Sequence, residues 1–254
     1  MNVKLAQVQS RLEGLGLGFL SSGLESFLAQ PRVADMTTLD LVSDLVDLEF
    51  LPRKERSARS RIKLSGMPSI KRLEDFDLNW LKGGLTSRKL DELATLQFIE
   101  RKENVVLLGS SGLGKTHLML ALAHRACTQG YTAYYTTCTD LMESLVRAKE
   151  QNRLKRRLTW LRKPHVLVVD EVGYEPLTPE QANLFFQVVN ARYENGSMIL
   201  TTNKPFGAWA ETMRDEAIAS ATLDRLLHHA HALVLKGDSY RMKDRIRSGV
   251  VDSE

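Results

Sequence analysis

Residues 109–116 read G-S-S-G-L-G-K-T, and this stretch constrains the fold more than any other part of the chain. It matches the phosphate-binding pattern G-x-x-x-x-G-K-[ST] in full, with an apolar run before it and an amphipathic segment after it. Glycines allow such a loop to wrap a phosphate with its N–H groups pointing inward, and the N-terminus of the following helix adds partial positive charge. The sequence therefore predicts a strand, a loop and a helix around a nucleotide. The residues predicted to bind the nucleotide are Gly109, Ser110, Ser111, Gly112, Leu113, Gly114, Lys115 and Thr116.

Two residues of this loop have expected chemical roles. Lys115 is expected to reach the β- and γ-phosphates of ATP and to assist catalysis there, and Thr116 is expected to hold Mg²⁺. ATP and Mg²⁺ are therefore the predicted cofactors. The alternative is a glycine turn followed by Lys-Thr by chance, which leaves the flanking strand and helix patterns unexplained.

From Asn104 onward, short apolar runs alternate with segments of helical pattern. This alternation is typical of an α/β fold, a parallel sheet with helices on both faces. Asp140 and Thr178 are predicted to cap two of the helices, with Glu143 and Gln181 as the reciprocal capping residues. We expect five strands, at residues 105–108, 132–137, 165–169, 197–202 and 232–235.

Asp170 and Glu171 follow the apolar run V-L-V-V. A carboxylate at the end of a buried strand is costly without a partner, and a metal ion is a natural one. We expect Asp170 to bind Mg²⁺, directly or through a water molecule, and Glu171 to polarise the attacking water. Such a pair is typical of a hydrolase rather than a small-molecule kinase. The alternative is an Asp-Glu pair that only caps a strand.

Asn203 and Arg225 are the remaining candidates for catalytic residues. If the run that precedes Asn203 lies between the first and third strands, its side chain is placed to orient the lytic water. Asparagine also favours turns, so a structural role before Lys204-Pro205 is the competing interpretation. Arg225 is predicted to reach the nucleotide of a neighbouring subunit and stabilise transition-state charge. An ion pair within its own helix is the alternative.

The N-terminal region lacks strand patterns and is predicted to form short helices. Turn-forming residues in S-G-M-P-S, at positions 65–69, favour a boundary there. We therefore predict an N-terminal helical domain at residues 1–66, which binds DNA or a partner, and an ATPase domain at residues 67–254.

Basic residues are unevenly distributed, although the net charge is only +4. They concentrate at residues 53–63 and 147–163, and clusters of this kind suit a phosphate backbone. A solvated helix face is an equally good explanation for either cluster alone. The candidate DNA-binding residues are Arg153, Lys155, Arg156 and Arg157.

Cys127 and Cys138 are the two cysteines, and they have no metal-ligand spacing. The sequence shows no leader-peptide pattern and no apolar run of membrane-spanning length. We therefore expect a cytoplasmic protein with reduced cysteines and no membrane association.

Several blocks together resemble the IstB family, the ATPase helpers of insertion-sequence transposases. The blocks are E-N-V-V-L-L-G-S-S-G-L-G-K-T-H-L, V-L-V-V-D-E-V-G-Y-E-P-L, A-N-L-F-F-Q-V-V-N-A-R-Y-E, I-L-T-T-N-K-P-F-G-A-W and D-R-L-L-H-H-A-H. The resemblance as a whole extends from about residue 70 to residue 241. The phosphate loop is shared by many unrelated ATPases, whereas the last two blocks are far more selective.

The resemblance implies a AAA+ core of the initiator and helicase-loader group, which includes DnaC. It also implies a homo-oligomer formed with ATP, binding to duplex DNA with little sequence preference, and a transposase of the same element as partner. S-Y-R at residues 239–241 makes Arg241 a possible second nucleotide-sensing residue, and the short remaining chain implies a reduced or absent lid. The residues that match the family's catalytic positions are Lys115, Asp170, Glu171, Asn203 and Arg225.

Three other functions compete with the transposition helper. A DnaC-like replicative helicase loader would have almost the same core. A small-molecule kinase with a phosphate loop would need an acceptor-binding lid and a lone catalytic aspartate, and Glu171 and Asn203 argue against it. A nucleotide-gated scaffold would act through occupancy alone, with negligible hydrolysis.

Overall fold

The N-terminal part of the chain consists of three helices, α1 (Val3–Gly14), α2 (Gly18–Leu28) and α3 (Thr38–Leu64). The computed structural model describes residues 3–237 and residue 239. The chain divides into two compact units, residues 1–60 and residues 61–254.

The first unit buries apolar residues of α2, including Leu24 and Phe27. Glu49 of α3 is also buried; it accepts a hydrogen bond from the Leu20 N–H at 3.0 Å and pairs with Arg53 at 2.7 Å. The expected basic run therefore begins within α3, with its first arginine already engaged. A DNA- or partner-binding role for this region stays a prediction, as do the domain limits based on sequence.

The second unit alternates strands and helices. The short strand β1 (Leu81–Gly83) comes first, with the helices α4 (Ser87–Ala94) and α5 (Gln97–Glu100) after it. There follow β2 (Asn104–Leu108), α6 (Lys115–Thr128), β3 (Ala133–Thr137), α7 (Cys138–Glu150), α8 (Leu154–Leu161), β4 (Val166–Val172), α9 (Pro179–Arg192), β5 (Ser197–Thr202), α10 (Trp209–Met213), α11 (Glu216–Leu227), β6 (Ala230–Val234) and β7 (Lys236–Gly237).

Five of these strands form one parallel sheet in the order β3-β4-β5-β2-β6. The predicted α/β fold with five parallel strands is therefore confirmed. Strand β5 lies between β2 and β4, which is the arrangement that brings its end beside the phosphate loop. The remaining strands, β1 and β7, pair with each other in an antiparallel two-stranded sheet.

Hydrophobic cores cover both faces of the parallel sheet, because alternate residues of a strand point to opposite faces. Leu107 of β2 belongs to the core that contains Leu118 of α6. Leu167 of β4 belongs to the other core, which contains Phe185 of α9. The apolar runs in β2, β4 and β5 thus form strands that are buried on both faces. The edge strands β3 and β6 are only partly buried.

Strand β4 differs from its predicted form. Its apolar run ends at Val169, yet the strand continues to Val172. The pairing with β5 shifts register in between, because Val169 lies opposite Leu200 and Val172 opposite Thr202. Two residues of β4 therefore face one residue of β5, which is a β-bulge. The expected reduction or absence of a lid concerns residues beyond 239, outside the described part of the chain.

Candidate nucleotide-binding site

A cavity of about 610 Å³ lies where β2, β4 and β5 end. Side chains that follow parallel strands meet at this edge of the sheet, where α/β proteins bind ligands. The cavity collects most of the predicted site residues, although Gly109, Ser110 and Arg225 do not line it. The predicted residues that line it are Ser111, Gly112, Leu113, Gly114, Lys115, Thr116, Asp170, Glu171 and Asn203.

The loop between β2 and α6 has the backbone that the glycine pattern predicts. Gly114 precedes the first residue of α6 with φ +82°, a left-handed conformation that favours glycine. A Cβ atom there would lie 2.9 Å from Cε2 of Phe76, so the ring packs directly on the loop. The N-terminus of α6 consequently opens onto the cavity, with its first N–H groups available to an anion.

Lys115 is half-buried and lies along the inside of the loop. Its Nζ donates to the carbonyl oxygens of Gly109 at 2.7 Å and Ser110 at 2.8 Å. Gly109 and Ser110 do not line the cavity, but their carbonyl groups hold the ammonium of Lys115 at the cavity wall.

Asp170 is the buried carboxylate of the site, with 4% of its surface exposed. Its Oδ1 accepts hydrogen bonds from the Thr116 hydroxyl at 3.2 Å, from the Glu171 N–H at 3.1 Å and from the Thr201 hydroxyl. Its Oδ2 accepts a longer one, 3.4 Å, from the Tyr135 hydroxyl. Neutral donors therefore stabilise the charge, and the contact with Thr116 brings the two predicted metal ligands together.

Tyr135 remains a donor to Asp170 over a wide pH range. Burial of the phenol, together with the nearby carboxylate of Asp170, raises the pKa of Tyr135 well above its ordinary value. A protonated phenol can only donate to the carboxylate, so this contact does not compete for a proton.

Glu171 has an exposed side chain that lines the cavity and an unusual backbone conformation. Its φ is +62°, in the left-handed region that non-glycine residues rarely adopt. Such conformations persist where the surroundings hold them and are frequent at functional sites. The bulge in β4 accounts for this geometry, because it turns the backbone out of the strand at this residue.

Asn203 follows the last residue of β5 and is exposed at the cavity. Arg225 lies elsewhere, in α11, where its guanidinium carbon is 4.9 Å from the ring centroid of Phe186. Its Nη1 donates to the Ala221 carbonyl at 3.3 Å, and the part of the chain that the structure describes offers it no ion pair. The other expected nucleotide-sensing residue, Arg241, lies outside the described residues.

One wall of the cavity was not predicted from the sequence. Phe76, Trp80 and Leu81 line it on the side where residues 68–81 precede the sheet, and Tyr174 lines it after β4. The segment has no regular pattern, so its aromatic residues gave no signal of their own. Together they supply the flat apolar surface that the loop lacks.

A second concavity, of about 400 Å³, lies between α7 and α8. Arg147, Arg153, Arg156 and Trp160 line it and are exposed. Arg157 also lines it but is half-buried. Its Nη2 contacts the hydroxyls of Tyr134 at 3.3 Å and Ser144 at 3.2 Å, and its guanidinium packs 4.6 Å from the Trp160 ring centroid. Lys155 is exposed but does not line this concavity. We call the surface of Arg147, Arg153, Arg156 and Trp160 the arginine groove.

Two further observations concern metals and membranes. Within residues 3–237, no group of three or more His, Cys, Asp or Glu is arranged to hold a metal ion by itself. Among the histidines, His231 contacts the carboxylate of Glu103 at 2.9 Å. None of the helices in the same range combines the length and apolar character needed to cross a membrane.

A phosphate loop at the end of a buried strand, a carboxylate pair on a neighbouring strand and this sheet order define an ATP-binding protein with a AAA+ core. The chain belongs to the family of IstB-like ATP binding proteins, whose model matches residues 10–248.

Similar proteins support both parts of this assignment. The chain is 40% identical, over 96% of its length and 92% of the relative's, to a protein of Pseudomonas aeruginosa named as the ATP-binding protein of insertion sequence IS21. Among solved structures it is similar to DnaI, with a TM-score of 0.55 at 22% identity, over 72% of this chain and 93% of that one. It is also similar to the DnaC helicase loader, with a TM-score of 0.51 at 21% identity, over 65% and 96%.

Proposed function

We propose that the chain is a magnesium-dependent ATPase that assembles on duplex DNA and serves the transposase of its insertion sequence. The contact between Thr116 and Asp170, next to the exposed carboxylate of Glu171 in a single cavity, carries the ATPase part of this proposal. The name of the Pseudomonas aeruginosa relative supports the association with an insertion sequence.

The nucleotide would bind with its phosphates over the loop and the start of α6. Lys115 lies at the wall of the cavity and would move its ammonium from the loop carbonyls to the β- and γ-phosphates. The base would stack on the aromatic rings of Phe76 and Trp80, because stacking between flat rings does not require a charged group.

The residues present fit Mg²⁺. Thr116 and Asp170 offer a hydroxyl and a carboxylate oxygen as neighbours, and such hard oxygen ligands are the ones that Mg²⁺ takes alongside phosphate oxygens. When bound, the ion would neutralise the negative charge that accumulates on the phosphates. The carboxylate of Asp170 would supply the only full negative charge among these protein ligands.

Glu171 would accept a proton from the attacking water, because its carboxylate is exposed to the cavity beside the magnesium ligands. Asn203 would orient that water from the end of the next strand. A lone aspartate would suffice for a small-molecule kinase, so the presence of both residues at the cavity favours hydrolysis.

Arg225 would act on the nucleotide of a neighbouring subunit. It does not line the cavity of its own chain, and it packs on Phe186 at the outer surface of α11 and α9. A guanidinium held on an aromatic ring retains N–H groups for an incoming phosphate. The homo-oligomer that forms with ATP would thereby complete each site.

DNA would bind in part through the arginine groove. Exposed arginines contact phosphates without reading the sequence, which suits a duplex of any sequence. The groove retains Arg153 and Arg156 of the four predicted DNA-binding residues and adds Arg147. We infer that Arg157, which also lines the concavity, holds Trp160 in place by packing on its ring.

Glu171→Gln tests the ATPase part. We expect turnover to fall by about 10²-fold or more, because a general base is removed, while ATP-dependent DNA binding persists. ATP hydrolysis and DNA binding would be measured on the same preparation. Glu175→Gln is the matched control, since Glu175 is exposed nearby and does not line the cavity. Loss of DNA binding with retained ATP binding would refute the proposal that ATP binding, without hydrolysis, is sufficient for assembly on DNA. Absence of turnover in the unmodified protein would leave a nucleotide-gated scaffold.

The double variant Arg153→Glu and Arg156→Glu tests the DNA part. We expect duplex affinity to fall by about 10-fold or more at physiological salt, with a shallower salt dependence, because phosphate contacts are lost. The double variant Arg88→Glu and Arg101→Glu changes the net charge equally at exposed positions elsewhere. If both double variants lose the same duplex affinity, only the net charge of the protein matters for DNA binding.

A replicative helicase loader is the second candidate, because the fold is shared with the DnaC helicase loader. The core cannot separate the two functions, and the relative's name favours the insertion sequence. Capture of partners from native cells, with the full chain as bait, distinguishes a transposase from a helicase.

A further inference from the structure

Thr201 of β5 lies directly behind the carboxylate pair and is 1% exposed. Its hydroxyl donates to Oδ1 of Asp170 and accepts a hydrogen bond from the Glu171 N–H at 2.9 Å. A single hydroxyl group thus contacts the predicted magnesium ligand and the backbone of the predicted base.

The position of Thr201 in the sheet explains why it can do this. Leu200 and Thr202 lie opposite Val169 and Val172, so Thr201 alone faces the two bulged residues of β4. On its other side it pairs with Leu107 of β2, which leads into the phosphate loop. The hydroxyl is therefore held by a strand that is paired on both sides.

The bulge needs such a support. Glu171 has a positive φ, and the pairing of β4 with β5 is interrupted at this residue. Its N–H donates to two side chains, namely the hydroxyl of Thr201 and, at 3.1 Å, the carboxylate of Asp170. The direction of the Glu171 side chain follows from this backbone conformation.

We propose that Thr201 is a positioning residue, which fixes the carboxylate of Asp170 toward Thr116 and holds Glu171 in the conformation that aims its side chain into the cavity. This inference rests on the proposed ATPase activity. A hydroxyl that only satisfies buried polar groups would affect stability alone, whereas a positioning residue affects turnover and the use of Mg²⁺.

Thr201→Val is the central test, because valine keeps the shape and removes the hydroxyl. We expect kcat to fall about 10- to 100-fold with little change in KM for ATP, as for a lost hydrogen bond to a charged group. The Mg²⁺ concentration needed for half-maximal nucleotide binding, measured without turnover, should rise about 10-fold, as when the support of a metal ligand is removed. Thr201→Ser keeps the hydroxyl and should restore both properties.

Thr222→Val is the matched control. Thr222 is also fully buried, and its hydroxyl donates to the Ile218 carbonyl at 2.7 Å within α11. It reports the loss of stability from a buried hydroxyl without a change at the site. If the two valine variants have equal kcat and equal Mg²⁺ dependence, the positioning role is wrong. If Glu171→Gln leaves turnover unchanged, the proposed ATPase site itself fails, and the magnesium measurement still tests Thr201.

Discussion

A buried charged side chain lies near each end of strands β4 and β5, and the two side chains have different surroundings. At the carboxyl end, Asp170 lines a cavity. At the amino end, Arg192 reaches back from the last turn of α9 and is 1% exposed. Both are stabilised by neutral groups rather than by an ion pair among the contacts described, so burial of a charge does not by itself mark a functional site.

Arg192 uses its N–H groups on the protein itself. Nη1 donates to the carbonyls of Leu161 at 2.9 Å and Pro164 at 2.8 Å, and Nη2 to those of His165 at 2.9 Å and Ser197 at 2.7 Å. Burial lowers the pKa of Arg192 to about 10, so the guanidinium is still charged at neutral pH. Four carbonyls from the starts of two strands and the end of α8 are thereby tied to one side chain.

Asp170 has acceptor capacity left over. Three donors share its Oδ1, whereas Oδ2, which offers about two lone pairs, has one long contact at 3.4 Å. The difference between the two ends is therefore one of access. The four contacts of Arg192 all go to carbonyl groups of the protein and hold the sheet together, whereas Asp170 lines a cavity that can admit a ligand.

Arg192→Met should give the largest effect and it should be on stability. Four buried carbonyls would lose their donors, so we expect the free energy of unfolding to fall by about 3–4 kcal/mol. The melting temperature should fall by roughly 10 °C. Arg162→Met removes an exposed arginine close by, whose Nη2 contacts Asn195 at 3.0 Å, and should cost far less. Equal losses in the two variants would show that the carbonyl cluster contributes nothing special.

Asp170→Asn should give a smaller effect, and it should be on function. Asparagine has the same size and one acceptor oxygen fewer, so we expect turnover to fall about 10²-fold, equivalent to about 2.7 kcal/mol. The unfolding free energy measured without nucleotide should change less than in Arg192→Met. The loss of turnover and the loss of unfolding free energy can be compared in kcal/mol. If the loss of unfolding free energy is the larger of the two, the two ends of the strands do not have different roles.

Tyr135→Phe should give the smallest effect, about 1 kcal/mol for one hydrogen bond. The raised pKa of Tyr135 means that the phenol is protonated in both states below its ordinary pKa. Above that pH only the unfolded chain ionises, so the contribution of this residue to stability is lost as the pH rises. Denaturation at pH 8 and pH 11 should therefore show a smaller alkaline loss in the variant than in the unmodified protein.

Local sequence patterns were sufficient to predict the five strands of the parallel sheet, the phosphate loop and the cap of α9, but not the short strands β1 and β7. Thr178 and Gln181 form the capping box around Pro179, as their spacing indicates. The cap of α7 was predicted at Asp140 and is wrong by one turn, because Thr137 at the end of β3 accepts from the Asp140 N–H instead. Both residues are good capping types, and the length of β3 decided between them.

Features that depend on contacts between distant segments were not predicted. Arg192 stands before Y-E-N-G, where an arginine usually caps an exposed helix end, and nothing nearby indicates the carbonyls around it. The β4 bulge requires knowledge of β5, because only the pairing with Thr201 shows that two residues face one. The wall of Phe76 and Trp80 comes from an irregular segment that reaches the cavity only through the tertiary fold.

The order of the strands also has a consequence for synthesis. The phosphate loop leaves the ribosome first, followed by β3 and β4, and β5 then inserts between β2 and β4. Until that moment both neighbours have an unpaired edge, which is a template for aggregation. A nascent chain that ends before residue 197 has the loop and the carboxylates but no strand to join them. The nucleotide site is therefore complete only once β5 has been synthesised, and until then the edges of β2 and β4 that pair with β5 have no partner strand.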